Sequence, residues 1–129
     1  MVVKTSVRVG VIVGALLAGA GLLPMLGASR EYARDLRLVI IDKTFYVEGQ
    51  PAPNPTLRLR AGERIRLVLR NEDEGMRHDL KIGEWHVAVP AIDGKGERAV
   101  TFRVPEGRSS VSYRCTPHSA SMRGAVEVE

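Results

Sequence analysis

From Leu36 to Glu129 the chain repeats one pattern: a short run of alternating apolar and polar residues, then a turn signal, then another run. Arg64 to Arg70 is the clearest case. Ile65, Leu67 and Leu69 fall on one side, and Arg64, Arg66 and Arg70 on the other. A period of two marks a strand with one dry face and one wet face. Leu36, Leu38 and Ile40 form such a set, followed by Phe45-Tyr46-Val47, and Leu57 and Leu59 form another within Thr56 to Arg60. Further strands are expected at His78 to Ile82, Trp85 to Val89 (ended by Pro90), Ala99 to Val104, Ser110 to Cys115 and Gly124 to Glu129. Turn chemistry separates them at Ala61-Gly62-Glu63, Asn71 to Gly75, Asp93-Gly94-Lys95-Gly96 and Pro105-Glu106-Gly107. Pro51, Pro53 and Pro55 impose an extended loop. There is no amphipathic helix of three turns and no internal repeat. Seven or eight short strands at regular spacing predict an all-β fold, a β-sandwich, over residues 36–129.

Composition decides what such a sandwich can be built from. Aromatic residues are 5% of the chain, so Val, Leu and Ile must supply the core. A domain of this size buries roughly 65% of its unfolded surface, enough for a core without disulfides. None can form within the chain, which has one cysteine. The formal charge is +4, but Lys4 and Arg8 belong to the N-terminal segment, leaving 17 basic against 15 acidic residues after residue 28. The signs are interspersed, so no nucleic-acid partner is expected.

The segment before the domain is apolar. Val9 to Ala28 carries no charge, with Lys4 and Arg8 before it and Arg30 after it. Twenty apolar residues as a helix just span a hydrocarbon core. A secretory signal is the competing reading, with Ala18-Gly19-Ala20 as the cleavage pattern. Cleavage there would leave Gly21 to Leu26 as a greasy new terminus, which favours the anchor. Residues 1–28 are therefore read as a hydrophobic helix serving as membrane anchor or signal peptide, and residues 29–35 as a linker. Both readings place the domain on the periplasmic or extracytoplasmic side of a membrane.

The chemistry gathers near the C-terminus. Cys115, His118 and Met122 place a thiol, an imidazole and a thioether within eight residues, and His78 supplies a second imidazole from the strand after the Asn71–Gly75 loop. Two histidines, a cysteine and a weak axial methionine are the donor set of trigonal blue copper sites. Plainer readings stand beside this one: a small buried thiol for Cys115, a surface imidazole for His78, core packing for Met122. A thiol nucleophile with His118 as base lacks a third orienting residue and leaves Met122 unexplained. Trp85-His86 has no spacing that demands a site role, so His86 reads as a surface or hydrogen-bonded histidine.

The stretch Cys115-Thr116-Pro117-His118, with Met122-Arg123-Gly124 after it and Gly75-Met76 and His78-Asp79-Leu80 upstream, resembles the cupredoxins. These are blue copper proteins of the plastocyanin and azurin kind, and the resemblance is strongest to amicyanins. It implies a Greek-key β-sandwich with one type 1 copper per chain, held by His78, Cys115, His118 and Met122. It implies an electron carrier and not an enzyme, with no small-molecule substrate. It also makes His118 the electron port, with Met76, Pro117 and Ala120 as an apolar docking patch, and leaves Arg114 for a second docking surface. The partner would be a redox protein such as a c-type cytochrome, an oxidase, a dehydrogenase or a reaction centre. Where the family usually has Asn, this chain has Asp79, whose carboxylate would favour Cu(II). The alternatives are copper trafficking or storage, or a structural subunit of a membrane redox complex. Against trafficking, only Met76 and Met122 of the four methionines fall in the domain.

Overall fold

Alternation puts most of the apolar residues of the strands on one face, and two such faces close on each other, while Val39 and Val68 bury outside that core. The computed structural model describes residues 33–129. The apolar segment at residues 9–28 and the helix expected there lie outside the described residues. Among the described residues no helix is long and apolar enough to cross a membrane.

The strands are β1 (Arg34–Ile41), β2 (Thr44–Val47), β3 (Leu57–Leu59), β4 (Arg64–Asn71), β5 (Arg77–Ile82), β6 (Val87–Asp93), β7 (Gly96–Arg103), β8 (Ser109–Arg114) and β9 (Arg123–Val128). They form a four-stranded sheet in the order β2-β1-β4-β7 and a five-stranded sheet in the order β3-β9-β8-β5-β6. β1 runs parallel to β4, and β3 parallel to β9, because the chain crosses repeatedly from one layer to the other. This is the β-sandwich expected from the pattern, with the Greek-key crossings that the resemblance implies. β1 starts at Arg34, inside the stretch read as linker.

The core is the sum of the dry faces. Leu36, Leu38 and Ile40 of β1 and Ile65, Leu67 and Leu69 of β4 bury against Leu80, Ile82, Val89, Tyr113, Val126 and Val128 of the other sheet. Each fully buried aliphatic contributes about 1.5–3 kcal/mol. Phe45 meets Tyr113 edge-on, with ring centroids 5.3 Å apart. The Tyr113 hydroxyl donates to the Pro55 carbonyl at 2.7 Å, which fastens the proline-rich loop to the core.

β7 also starts early, at Gly96 within the expected turn, but β6 differs most from expectation. β6 does not end at Pro90 but runs through it to Asp93, and Gly83–Trp85 is a single 3-10 turn. The register explains the tolerance. His78 faces Ile92 and Leu80 faces Val89, so Pro90 and Ala91 together oppose Asp79 in a β-bulge. β6 is also a sheet edge. A residue without an N–H fits a bulge on an edge strand at little cost. His86 caps the 3-10 turn in a left-handed conformation with φ of 53°. It is exposed, at the opposite end of β5 from His78.

Gly124 has a packing reason to be glycine. A Cβ there would collide with the Cε1, Cζ and hydroxyl atoms of the buried Tyr113 ring on the paired strand. Gly124→Ala is expected to cost about 1–3 kcal/mol by overpacking, read from the urea midpoint at unchanged slope.

The outer face of the four-stranded sheet is tied by ion pairs. Arg34 donates to both carboxylate oxygens of Glu63, at 3.1 and 2.8 Å, and the Arg60 N–H donates to Glu63 at 2.7 Å. The Arg34 hydrogen bonds lower the Glu63 pKa, with desolvation opposing and the Arg60 donation helping. A folded pKa below the unfolded one gives stability that is present above the unfolded value and lost as pH falls through the folded value. Glu63→Gln should therefore lower stability near neutral pH and lessen the further loss in acid. Urea midpoints at about pH 7 and about pH 3 measure both effects.

Candidate metal centre

The site forms where β5 begins and β8 ends. Cys115 follows the last residue of β8, and its N–H donates to the Met122 carbonyl at 3.0 Å as β9 is about to start. Between them the chain turns on itself. The His118 carbonyl accepts the N–H groups of Ser121 and Met122 at 3.1 and 2.8 Å, and the His118 N–H donates to the Cys115 carbonyl at 3.3 Å. Pro117 falls inside this loop, where its missing N–H costs nothing and its fixed φ stiffens the turn. Local hydrogen bonds thus close the loop that brings Cys115 and His118 together.

His78 comes from the other side. Its Nδ1 lies 3.7 Å from the Cys115 sulfur, and the His118 Nδ1 lies at the same 3.7 Å. The two imidazole centroids are 4.8 Å apart. The ligand atoms of His78, Cys115 and His118 all lie within 4.8 Å of one another. His78 and Cys115 are fully buried, whereas His118 is partly exposed. Met122 is fully buried at the foot of the same loop. The structure therefore brings all four sequence-predicted residues to one end of the sandwich and leaves His86 outside.

The tautomer of His78 is set by a neighbour. Its Nε2 lies 2.8 Å from the Asp73 carboxylate, which only accepts, so Nε2 carries the proton and Nδ1 presents a lone pair toward the sulfur. Asp73 is itself anchored. It accepts the N–H groups of Asp42 and Lys43 at 2.6 and 2.9 Å. Those two residues form the β1–β2 turn with φ of 48° and 53°, a strained choice for non-glycine residues that these bonds help to hold. Desolvation pushes the Asp73 carboxyl up, but donation from Lys43, His78 and Asp42 outweighs it and leaves the pKa below the ordinary value.

Two asparagines complete the frame. Asn71 donates to the carbonyls of Met76 and Gly94 at 2.9 and 2.8 Å and accepts the Asp73 N–H at 3.0 Å. Asn54 accepts the Phe45 N–H at 3.1 Å and donates to the Ser121 carbonyl at 3.2 Å, linking the proline-rich loop to the ligand loop. Sequence reasoning missed Asp73, Asn71 and Asn54. The Asn71-x-Asp73 spacing is an Asx-turn signal that marks the turn but not its ligand contact. Asn54 gave no signal.

The sulfur sits in a divided environment. Burial pushes the Cys115 thiol up, the backbone N–H groups of Asp79 and His118 pull it down, and the Asp79 carboxylate pushes it up again. Asp79 also accepts the Thr116 N–H at 2.6 Å, which fastens β5 to the loop after the cysteine.

The donor set fits copper. With metal–nitrogen and metal–sulfur bonds of about 2.0 and 2.3 Å, a trigonal angle places nitrogen and sulfur about 3.7 Å apart. Both nitrogen–sulfur separations in the structure are 3.7 Å. Imidazole, thiolate and thioether together favour copper, and less specifically zinc, among the first-row metals, and the four residues suit one type 1 ion.

No family model matches the sequence, and no curated protein matches it. Solved structures do. An auracyanin from Roseiflexus castenholzii aligns at a TM-score of 0.59 and 14% identity, over 76% of this chain and 99% of its own. Auracyanin A from Chloroflexus aurantiacus, described as a "blue" copper protein, aligns at 0.56 and 14% identity, over 76% of this chain and 100% of its own. A multicopper oxidase from Aquifex aeolicus aligns at 0.60 and 10% identity, over 74% of this chain but 26% of its own. At these identities the likeness concerns the fold, and with the register and the His-Cys-His cluster it establishes that residues 33–129 adopt the cupredoxin fold.

Proposed function

We propose that this protein is a one-electron carrier built on one type 1 copper, which His78, Cys115, His118 and Met122 would hold. The observation that carries the reading is the pair of 3.7 Å approaches from two imidazole Nδ1 atoms to a buried cysteine sulfur. When bound, copper supplies the Cu(I)/Cu(II) couple. The chain's own residues do the rest. Asp73 holds His78 in one tautomer and one orientation. The sandwich and the closed ligand loop resist rearrangement when the site gains or loses a charge. The Asp79 and His118 N–H groups draw charge from the thiolate, and the Asp79 carboxylate opposes them and favours the oxidised state. His118 is the partly exposed ligand, flanked by exposed Pro117 and Ala120, and gives electrons a route to the surface. Met76 is half-buried nearby in sequence to His78, and its carbonyl is held by Asn71.

We further place the domain on the extracytoplasmic side of a membrane. One feature supports this: the uncharged run from Val9 to Ala28, which reads as an anchor or a secretory signal. Anchored by residues 1–28, the carrier would serve neighbours within the reach of a short linker. A c-type cytochrome, an oxidase, a dehydrogenase or a reaction centre would meet that need.

Titration of the full-length chain with Cu(II) tests the central claim. An intense sulfur-to-copper charge-transfer band with narrow copper hyperfine splitting is expected, and Cys115→Ser should abolish both. A pale tetragonal signal indifferent to that substitution would remove the electron-carrier reading. Asp73→Asn is expected to weaken copper binding by roughly 10- to 100-fold. It should also raise the reduction potential, because it removes a negative charge that stabilises the more positive metal state. Competition against a chelator and a redox titration measure the two effects.

A further inference from the structure

Three cations stand side by side on the outer face of the five-stranded sheet. Arg114 of β8 pairs in register with Lys81 of β5 on one side and with Arg123 of β9 on the other. Each alternates with buried neighbours: Arg114 with Tyr113 and Cys115, Lys81 with Leu80 and Ile82, and Arg123 follows Met122. All three side chains are therefore exposed on the outward face. None has an ion pair or side-chain hydrogen bond among the described residues. Arg37, Arg66 and Arg70 on the other sheet are by contrast bound by Asp35, Glu48, Glu72 and Glu97. Like charges opposed across strands destabilise a sheet, so the fold gains nothing internally from this row.

Its surroundings leave it open to a partner. Ala88 lies opposite Lys81, and the next rung is Ser112 opposite Ala125, so small side chains flank the cations. Glu84 shares the cleft of Lys81, Ser112 and Arg114 without neutralising it. Position adds the second argument: Arg114 is bonded to Cys115, and Arg123 to Met122. The backbone of the row is thus continuous with that of the site.

We propose that Lys81, Arg114 and Arg123 form a docking surface for a redox partner with a carboxylate-rich face, separate from the His118 edge. The inference rests on the electron-carrier reading and names the chemistry of the partner. Arginines engage carboxylates through paired N–H donors, and a patch of one sign steers association. An anionic membrane fits less well. The one exposed large apolar residue among those described is Ile41, on the other sheet, so nothing beside the row can insert into lipid.

The test uses the full-length chain and three probes. With polyglutamate, amide shifts in a nuclear magnetic resonance titration should cluster on β5, β8 and β9 around the row. Arg114→Glu with Arg123→Glu should weaken that binding about tenfold at low salt. Arg98→Glu with Arg108→Glu, an equal change of charge elsewhere, should weaken it far less. Arg114→Ala with Arg123→Ala gives the same reading if the reversal does not fold. With the copper-loaded, reduced chain, oxidation by hexacyanoferrate(III), which takes up one electron, should slow in the same order. Equal losses in both charge-reversed variants, or shifts centred elsewhere, would overturn the proposal. So would binding to phosphatidylcholine vesicles containing phosphatidylglycerol without binding to polyglutamate, which would make the row a membrane contact. A chain lacking the charge-transfer band removes the electron-carrier reading, while the polyglutamate titration still decides whether the row is an acidic-partner surface.

Discussion

The sulfur of Cys115 and the Nδ1 of His78 lie 3.7 Å apart although 37 residues separate them in the chain. His118 reaches the same distance across only 3 residues. Closing the longer loop costs about 2 kcal/mol more in chain entropy. No interaction inside the site can be counted on to supply that, because the three donor groups face one another around the position that a metal ion would take. The two sheets supply it. Leu80 and Ile82 on β5 and Tyr113 on β8 are fully buried in one core, so the strand that starts with His78 and the strand that ends at Cys115 are locked before any ligand arrives. The site is assembled by burial that takes place elsewhere.

Around that frame, carboxylates and amides do the fine positioning. Asp73 joins a strained two-residue turn to an imidazole, Asn71 joins β4 to the loops before His78 and after β6, and Asn54 joins the proline-rich loop to the ligand loop. Asp79 sits at the junction, accepting from Thr116 while its own N–H faces the sulfur. An asparagine would make the same hydrogen bond without the charge. The carboxylate thus adds an electrostatic preference to a contact that is otherwise geometric.

How much of this was legible in the sequence follows from what periodicity reports. Ile65, Leu67 and Leu69 alternate because one face is buried, so strand identity and facing were readable. Cys115, His118 and Met122 were readable because their spacing is local. His78 needed only a polar loop and a following strand. Pro90 misled because a missing N–H disqualifies a central strand position, and the bulge that excuses it depends on pairing with β5. Asp73 was invisible as a ligand support because its orientation is set by the Asp42-Lys43 turn, 30 residues away. The cation row was invisible for the same reason. Lys81 and Arg114 become neighbours only through strand order, so the sequence marks Arg114 alone as a candidate for a second docking surface and gives no sign of Lys81 or Arg123 beside it.

The bulge at Pro90 has a consequence beyond the ladder it interrupts. β6 is the outer strand of its sheet, with one backbone edge facing solvent. A flat, regular strand there would offer a template on which a second molecule could add by main-chain pairing. Pro90 removes a donor from the middle of that edge, and the extra residue twists the strand away from flatness. The irregularity beside His78 therefore works against edge-to-edge aggregation, and keeps the end of the sheet that holds the His-Cys-His cluster from being buried in self-association.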